Sequence, residues 1–89
     1  MNSSKTDLSR LLYRRTWSRG EKRVVLVLLS GSRIMTADRI EQTARVRRST
    51  ADMVLMLLES YDLLGRTDLG HYWLTSMGRH FCLQLLGLA

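Results

Sequence analysis

The fold of this chain is decided by its middle and end, where residues 35–81 read MTADRIEQTARVRRSTADMVLMLLESYDLLGRTDLGHYWLTSMGRHF. A short helix is predicted over 36–44, because Thr36 can cap it and its apolar residues repeat at helical spacing. A tight basic turn follows at 45–48. A longer helix with an inward apolar stripe then runs from about residue 48 to 64. The stretch therefore begins with two helices joined by a tight turn.

The second half of the stretch has the signals of a hairpin and a last helix. Gly65 is expected to stop the preceding helix in a left-handed conformation. Two strand-prone runs, 66–68 and 72–74, lie on either side of a predicted turn at Leu69-Gly70. Thr75 then caps a final helix to about Leu86. This order predicts a mainly α fold with a small β-hairpin, a winged helix-turn-helix, whose second helix has the size to lie in a DNA major groove.

A capping box opens the helix that precedes this stretch. Ser18 and Glu21 are three residues apart, so the serine can accept from a free N–H and the glutamate can reach back. The run 24–29 is apolar on every face and rich in β-branched valine, which leaves a strand as the rival interpretation, but the capping box and Gly31 favour a buried helix over 20–30. Ile34-Met35 is an extended link able to pair with the hairpin.

The first residues are predicted to be an addition to the core. Residues 1–17 form a tail and an appended helix, Asp7 to Trp17, with Ser4 or Thr6 as its cap. Residues 18–89 form the winged helix-turn-helix domain. The appended helix is expected to pack on the domain or on a second subunit, with its arginines solvated. A chain of 89 residues is small enough for a partner subunit to help, and we expect a homodimer through the N-terminal and C-terminal helices.

Charge favours an anionic partner. Fourteen Lys and Arg oppose eight Asp and Glu, for a formal net charge of +6, and twelve of the fourteen are arginine. Arginine binds phosphate bidentately and pairs with guanine edges, which suits double-stranded DNA. The same bias also fits an arginine-rich genome or surface ion pairs, and charge alone only suggests a partner.

Other classes of protein are disfavoured. No apolar run approaches the ~20 residues of a membrane span, and the N-terminus lacks a signal-peptide core. The single cysteine, Cys82, fits a reducing cytoplasm. His71, His80 and Cys82 lack metal-ligand spacing, and no phosphate-binding glycine loop or nucleophile–base set occurs. The sequence predicts no metal, no cofactor and no enzymatic activity.

Residues 35 to about 85 resemble winged-helix transcriptional regulators of archaea and bacteria, including the multiple-antibiotic-resistance regulator type. The matching positions are Met35-Thr36, Ile40 with Ala44, Val46, Ser49-Thr50, Leu55 with Leu58, Leu63-Leu64, and the step Tyr72-Trp73-Leu74-Thr75-Ser76-Met77-Gly78. The resemblance implies a DNA-binding transcriptional regulator with a recognition helix and a wing. It covers slightly more than half the chain.

The candidate site follows from this arrangement. The first residues of a recognition helix meet base edges, the wing reaches a neighbouring groove or backbone, and residues beside the turn meet phosphates. The predicted DNA-binding residues are Arg39, Arg45, Arg47, Arg48, Ser49, Thr50, Asp52, Met53, Arg66, Gly70 and His71.

Two features of the recognition helix support a different reading. Asp52 brings negative charge close to phosphate, which is tolerable if it accepts from cytosine or pairs with an arginine. Met53, Met56 and Leu57 form an outer apolar stripe, and exposed apolar stripes often mark protein partners. The alternative function is therefore a winged-helix protein–protein interaction module.

Overall fold

The computed structural model describes residues 8, 10–31 and 34–88. Its elements are a π-helical turn Arg10–Arg14, α1 Arg19–Ser30, β1 Met35–Thr36, α2 Ala37–Ala44, α3 Arg48–Ser60, β2 Leu64–Arg66, β3 His71–Leu74 and α4 Ser76–Leu85. The strands form one antiparallel sheet in the order β1-β3-β2. The predicted fold, helices with a small hairpin in winged helix-turn-helix order, is confirmed.

The predicted capping box starts α1. Ser18 Oγ accepts from the Glu21 N–H at 3.1 Å, and Glu21 Oε1 accepts from the Ser18 N–H at 2.7 Å. Val24 and Val25 are fully buried at the centre of the core, whereas Leu26 is 48% exposed. The helix prediction is confirmed, but burial on every face was wrong, because α1 packs against the other helices on one side only.

Three helices meet at the tight turn. Thr36 Oγ1 caps α2 by accepting from the Arg39 N–H at 3.2 Å, and Ile40 and Ala44 of α2 are buried as predicted. Arg45 ends α2 in the left-handed region at φ 56°. The inward stripe of α3 is also confirmed, and it consists of Ala51, Val54, Leu55 and Leu58.

The end of α3 was predicted four residues too late. The helix stops at Ser60, and the left-handed residue is Asp62, at φ 61°, rather than Gly65. The chain must turn here because Leu63 and Leu64 are both buried and continue into β2. Asp is one of the few non-glycine residues that visit this conformation, since its short polar side chain can bond locally.

Gly65 has a packing role in β2. It pairs with Trp73 of β3, and a Cβ at this position would overlap the indole ring. The first strand of the hairpin is therefore 64–66 instead of the predicted 66–68. The predicted turn is confirmed: the Gly70 N–H donates to the Thr67 carbonyl at 3.0 Å, and Gly70 has φ 81°.

The extended link upstream of α2 does join the hairpin. Met35 pairs with Tyr72 and Thr36 with His71, which makes β1 an edge strand of the sheet. Ile34 precedes the strand and is exposed. The hairpin is thereby attached to the helix-turn-helix on one edge and to the end of α3 on the other.

The N-terminal segment is shorter as a helix than predicted. Helical structure ends at Arg14, and Trp17 lies outside it, because Ser18 must be extended to cap α1. Trp17 is buried instead: its Nε1–H donates to the Leu11 carbonyl at 2.9 Å, and its ring lies 6.2 Å from that of Phe81 in α4. Asp7 and the two candidate caps lie outside the described residues. The boundary at 17/18 stays a prediction.

Among the described residues, no helix is both long enough and apolar enough to cross a bilayer.

Candidate nucleic-acid interface

The exposed end of the helix-turn-helix is formed by the turn and the start of α3. Arg45 and Arg47 are exposed there, as is Ser49. Arg47 is the N-cap residue of α3, with φ −67° and ψ 149°, and its own side chain makes no capping hydrogen bond. The first N–H groups of α3 therefore face outward beside two guanidinium groups, an arrangement that favours anions.

Arg48 is surrounded by carboxylates. Its Nε donates to Asp52 Oδ1 at 2.9 Å, and its Nη1 pairs with Asp38 and, at 3.4 Å, with Glu41. Hydrogen bonds, first to Asp52 and then to Asp38, raise the pKa of Arg48 above its already high value. One positive charge among three negative charges leaves this cluster with a formal net charge of −2.

The cluster changes the role available to Arg48. An arginine that reads guanine needs two parallel N–H donors directed at the base. In Arg48 the Nε and one Nη1 donor are directed at carboxylates from α2 and from its own helix. Of the two roles expected for Asp52, accepting from cytosine or pairing with an arginine, the structure shows the pairing with an arginine. These contacts orient the Arg48 guanidinium toward carboxylates, so two of its nitrogen atoms are already engaged.

Two of the predicted contact residues lie close to neighbouring elements. Thr50 is half-buried, and its methyl group lies 3.7 Å from where a Cβ on Gly20 of α1 would stand. Met53 is on the outer side of α3, and its Sδ lies 3.8 Å from Arg15 Nη2. The structure therefore directs Thr50 toward α1 and places Met53 beside the N-terminal segment.

Arg15 is the residue that sequence reasoning missed. It was expected to be solvated, but its side chain is only 26% exposed and its Nη2 donates to the buried carboxylate of Glu21 at 3.0 Å. Its guanidinium also lies 4.7 Å from the centre of the Trp17 ring. A local signal was the capping-box glutamate six positions away, whose second oxygen needed a donor.

The wing contributes a partly neutralised arginine and an apolar tip. Arg66 Nε lies 3.5 Å from Glu59 Oε2, which connects β2 to the side of α3. His71 begins β3, and its backbone N–H donates to Thr67 Oγ1 at 3.1 Å. Gly70 is at the turn, next to Leu69, which is 84% exposed. The wing is short, and hydrogen bonds between Thr67 and His71 close it.

Three of the predicted arginines are exposed without an ion-pair partner in the part of the chain that the structure describes. They are Arg39 at the start of α2 and Arg45 and Arg47 around the turn. The Arg45 carbonyl accepts from Arg23 Nη1 at 3.5 Å, so a fourth guanidinium lies close to the turn. Positive charge is thus concentrated around the turn, while the centre of α3 is neutral to acidic.

The predicted outer apolar stripe of α3 is confirmed for its two methionines and not for Leu57. Met56 is 65% exposed and Met53 is 37% exposed, whereas Leu57 is half-buried against the core.

The candidate reactive residues are separated from one another. Cys82 is buried, and burial raises the pKa of its thiol to about 12. His80 is exposed on α4. No group of three His, Cys, Asp or Glu side chains able to hold a metal ion occurs within residues 10–31 and 34–88.

This architecture is a winged helix-turn-helix, and its fold is similar to that of a solved regulator. A solved structure of a MarR family transcriptional regulator from Silicibacter pomeroyi superposes on 97% of this chain with a TM-score of 0.65 and 16% sequence identity. The matched region is 63% of that regulator, so this chain spans less than two thirds of its length. No protein-family model and no curated protein matches the sequence. The resemblance to the multiple-antibiotic-resistance regulator type is confirmed as a likeness of fold.

Proposed function

We propose that this chain is a double-stranded DNA-binding protein that acts without catalysis as a cytoplasmic transcriptional regulator. In the proposal α3 enters the major groove and the wing lies on the adjacent backbone. The observation that carries it is a group of exposed arginines, Arg39, Arg45 and Arg47, around the turn of a winged helix-turn-helix, which form no ion pair with any residue that the structure describes. The MarR-type fold supports the same class of function.

The arginines around the turn are the proposed phosphate ligands. Arg45 and Arg47 lie on either side of Val46, at the entrance to α3, so their side chains can reach the backbone of one strand. The uncapped N–H groups of α3 add a second set of donors at the same place. These contacts fix how α3 sits in the groove but carry no sequence information.

The carboxylate cluster sets where phosphate can lie. Asp38 and Glu41 of α2 and Asp52 of α3 repel phosphate from the side of α3 that holds Arg48. Backbone contacts are thereby restricted to the turn side of the helix. The cluster opposes affinity and restricts the docking orientation.

A homodimer through the N-terminal and C-terminal segments completes the proposal. Two copies related by a two-fold axis would bind half-sites about one helical turn, roughly 34 Å, apart. Light scattering on the purified chain measures the mass directly.

The test is a salt titration of binding to a fluorescent random duplex, followed by anisotropy. Each phosphate contact adds about 0.9 to the slope of log K against log salt. Arg45→Ala and Arg47→Ala should each lower the magnitude of the slope by about that amount. Arg79→Ala removes the same charge from the exposed side of α4 and should leave the slope unchanged. Absence of duplex binding at low salt, or equal slopes for all three variants, refutes the proposal.

The second candidate is a protein-interaction module, which the exposure of Met56 favours. It predicts that the unmodified chain binds no duplex and that Met56→Asp abolishes a partner contact in a pull-down. Duplex binding by the unmodified chain, with the salt slope expected for phosphate contacts, argues against this second candidate.

A further inference from the structure

We infer that α3 reads thymine through the C5-methyl groups that thymine presents in the major groove, using Met53 and Met56. This inference rests on the proposed DNA-binding function. It concerns which base edges the helix recognises, whereas the proposal above concerns only phosphate contacts.

Four exposed residues form one row along the outer side of α3. Ser49, Met53, Met56 and Ser60 follow one another at spacings of four, three and four, which places them on one side of an α-helix. All four are exposed, and the buried stripe of α3 lies on the opposite side. This row is the part of the helix that faces the floor of a groove.

The row lacks the bidentate donors that read purines. Guanine and adenine are recognised by bidentate Arg, Lys, Asn or Gln side chains, and none of these occurs in the row. The one basic residue of α3 is Arg48, whose Nε and Nη1 are directed at Asp52 and Asp38. For the two methionines of the row, the element of the major-groove code that fits is apolar contact with the thymine methyl group.

The two methionines have a suitable spacing. Three residues of α-helix advance by about 4.5 Å, and successive base pairs are about 3.4 Å apart, so Met53 and Met56 can reach adjacent steps. The thioether is flexible and polarizable and adapts to an irregular apolar surface. Ser49 and Ser60 bracket the pair with hydroxyl groups that bond to either kind of base edge.

Met53 is the positioned member of the pair. Its Sδ lies 3.8 Å from Arg15, which Glu21 holds in place at 3.0 Å. Met56, at 65% exposure, is the more accessible member and is expected to bury more surface on binding.

The experiment starts with selection of duplexes from a random library by the full chain. Each selected site is then synthesised with deoxyuridine in place of thymidine, which removes only the methyl group. Burial of one methyl group corresponds to a factor of about four in affinity, so we expect a roughly fourfold rise in Kd at each contacted position. Met56→Ala should make the Kd for the two duplexes equal at one of these positions.

A matched control is available on another helix. Met77 of α4 is 56% exposed and has no part in the proposed contact, so Met77→Ala should retain the full preference for thymidine. Circular dichroism verifies that each variant folds. Equal Kd values for the thymidine and deoxyuridine duplexes, with a selected site that still shows the arginine-dependent salt slope, overturn this inference alone. Binding to random duplex with no enriched site also overturns this inference alone, whereas absence of binding to random duplex at low salt overturns the proposed function with it.

Discussion

Gly78→Ala should destabilise the protein, although the same substitution inside a helix usually helps. Gly78 is buried in the first turn of α4, against the backbone of Leu63. A Cβ there would overlap the Leu63 carbonyl group and lie 3.2 Å from its Cα. Backbone cannot rotate away as a side chain can, so α4 must shift. The shift also strains the bond from the Thr75 N–H to the Leu63 carbonyl, now 3.2 Å.

The magnitude follows from two opposing effects. Overpacking in a well-packed region costs about 1–3 kcal/mol, and the higher helix propensity of alanine returns up to about 1 kcal/mol. A net loss of roughly 1–2 kcal/mol lowers Tm by about 4–16 °C in a domain of this size. Thermal unfolding followed by circular dichroism at 222 nm measures it.

Gly20→Ala is the matched control. Gly20 is in the first turn of α1, and a Cβ there would lie 3.4 Å from Val46 Cγ1 and 3.7 Å from Thr50 Cγ2. These contacts are with side-chain methyl groups that can adjust, so the gain in helix propensity should dominate and Tm should stay level or rise. If Gly78→Ala melts at or above the temperature of the unmodified protein, the close approach of α4 to Leu63 is wrong.

Three further predictions concern charge. Asp38→Asn combined with Glu41→Gln should tighten duplex binding in an anisotropy assay, because it removes two carboxylates that repel phosphate. Tm should change little, because exposed ion pairs contribute little to folding. Weaker binding would mean that the carboxylates position Arg48 for contact. Arg15→Ala should lower the free energy of unfolding in urea by roughly 1.5–3 kcal/mol by leaving the buried carboxylate without its charged donor, and Arg15→Lys should restore part of the loss. Burial raises the pKa of the Cys82 thiol from 9.0 to about 12, so the unfolded chain loses this proton first as pH rises. The free energy of unfolding should therefore fall between about pH 9 and pH 12. The fall should be larger in the unmodified protein than in Cys82→Ala.

The parts of the fold that the sequence predicts are those set by neighbouring residues. The caps at Ser18, Thr36 and Thr75 each act on a backbone N–H three residues on, so a window of four residues contains the whole interaction. The inward stripe of α3 was equally readable, because the spacing of apolar residues on a helix is local. The turn at Gly70 could be predicted because it depends on a positive φ at that one residue, which glycine adopts readily.

The errors come from residues whose conformation depends on distant contacts. Leu63 and Leu64 look like a continuation of α3, because buried positions of a short strand and of a helix cannot be told apart by apolar pattern alone. Gly65 was read as a helix stop, although its lack of a side chain serves Trp73 eight positions away.

The candidate site was less predictable than the fold. Arg48 pairs with Asp52 on its own helix, which i, i+4 spacing suggests, but also with Asp38 and Glu41 across the turn. The contact of Arg15 with Met53 joins residues 38 positions apart. Such contacts decide which arginines are available to a ligand, and they exist only once the helices have packed.

Thr75 joins both ends of the hairpin. Its hydroxyl accepts from the Gly78 N–H at 3.0 Å and donates to the Asp62 carbonyl at 3.1 Å, while its own N–H bonds to Leu63. Hydrogen bonds therefore hold together the two ends of the segment between Leu63 and Thr75. Residues added at the exposed tip lengthen it without moving the helices that it connects, because extra loop length costs little entropy once the ends are fixed. Evolution, or a protein engineer, can thus change how far the wing extends from the domain without changing the packing of the helices.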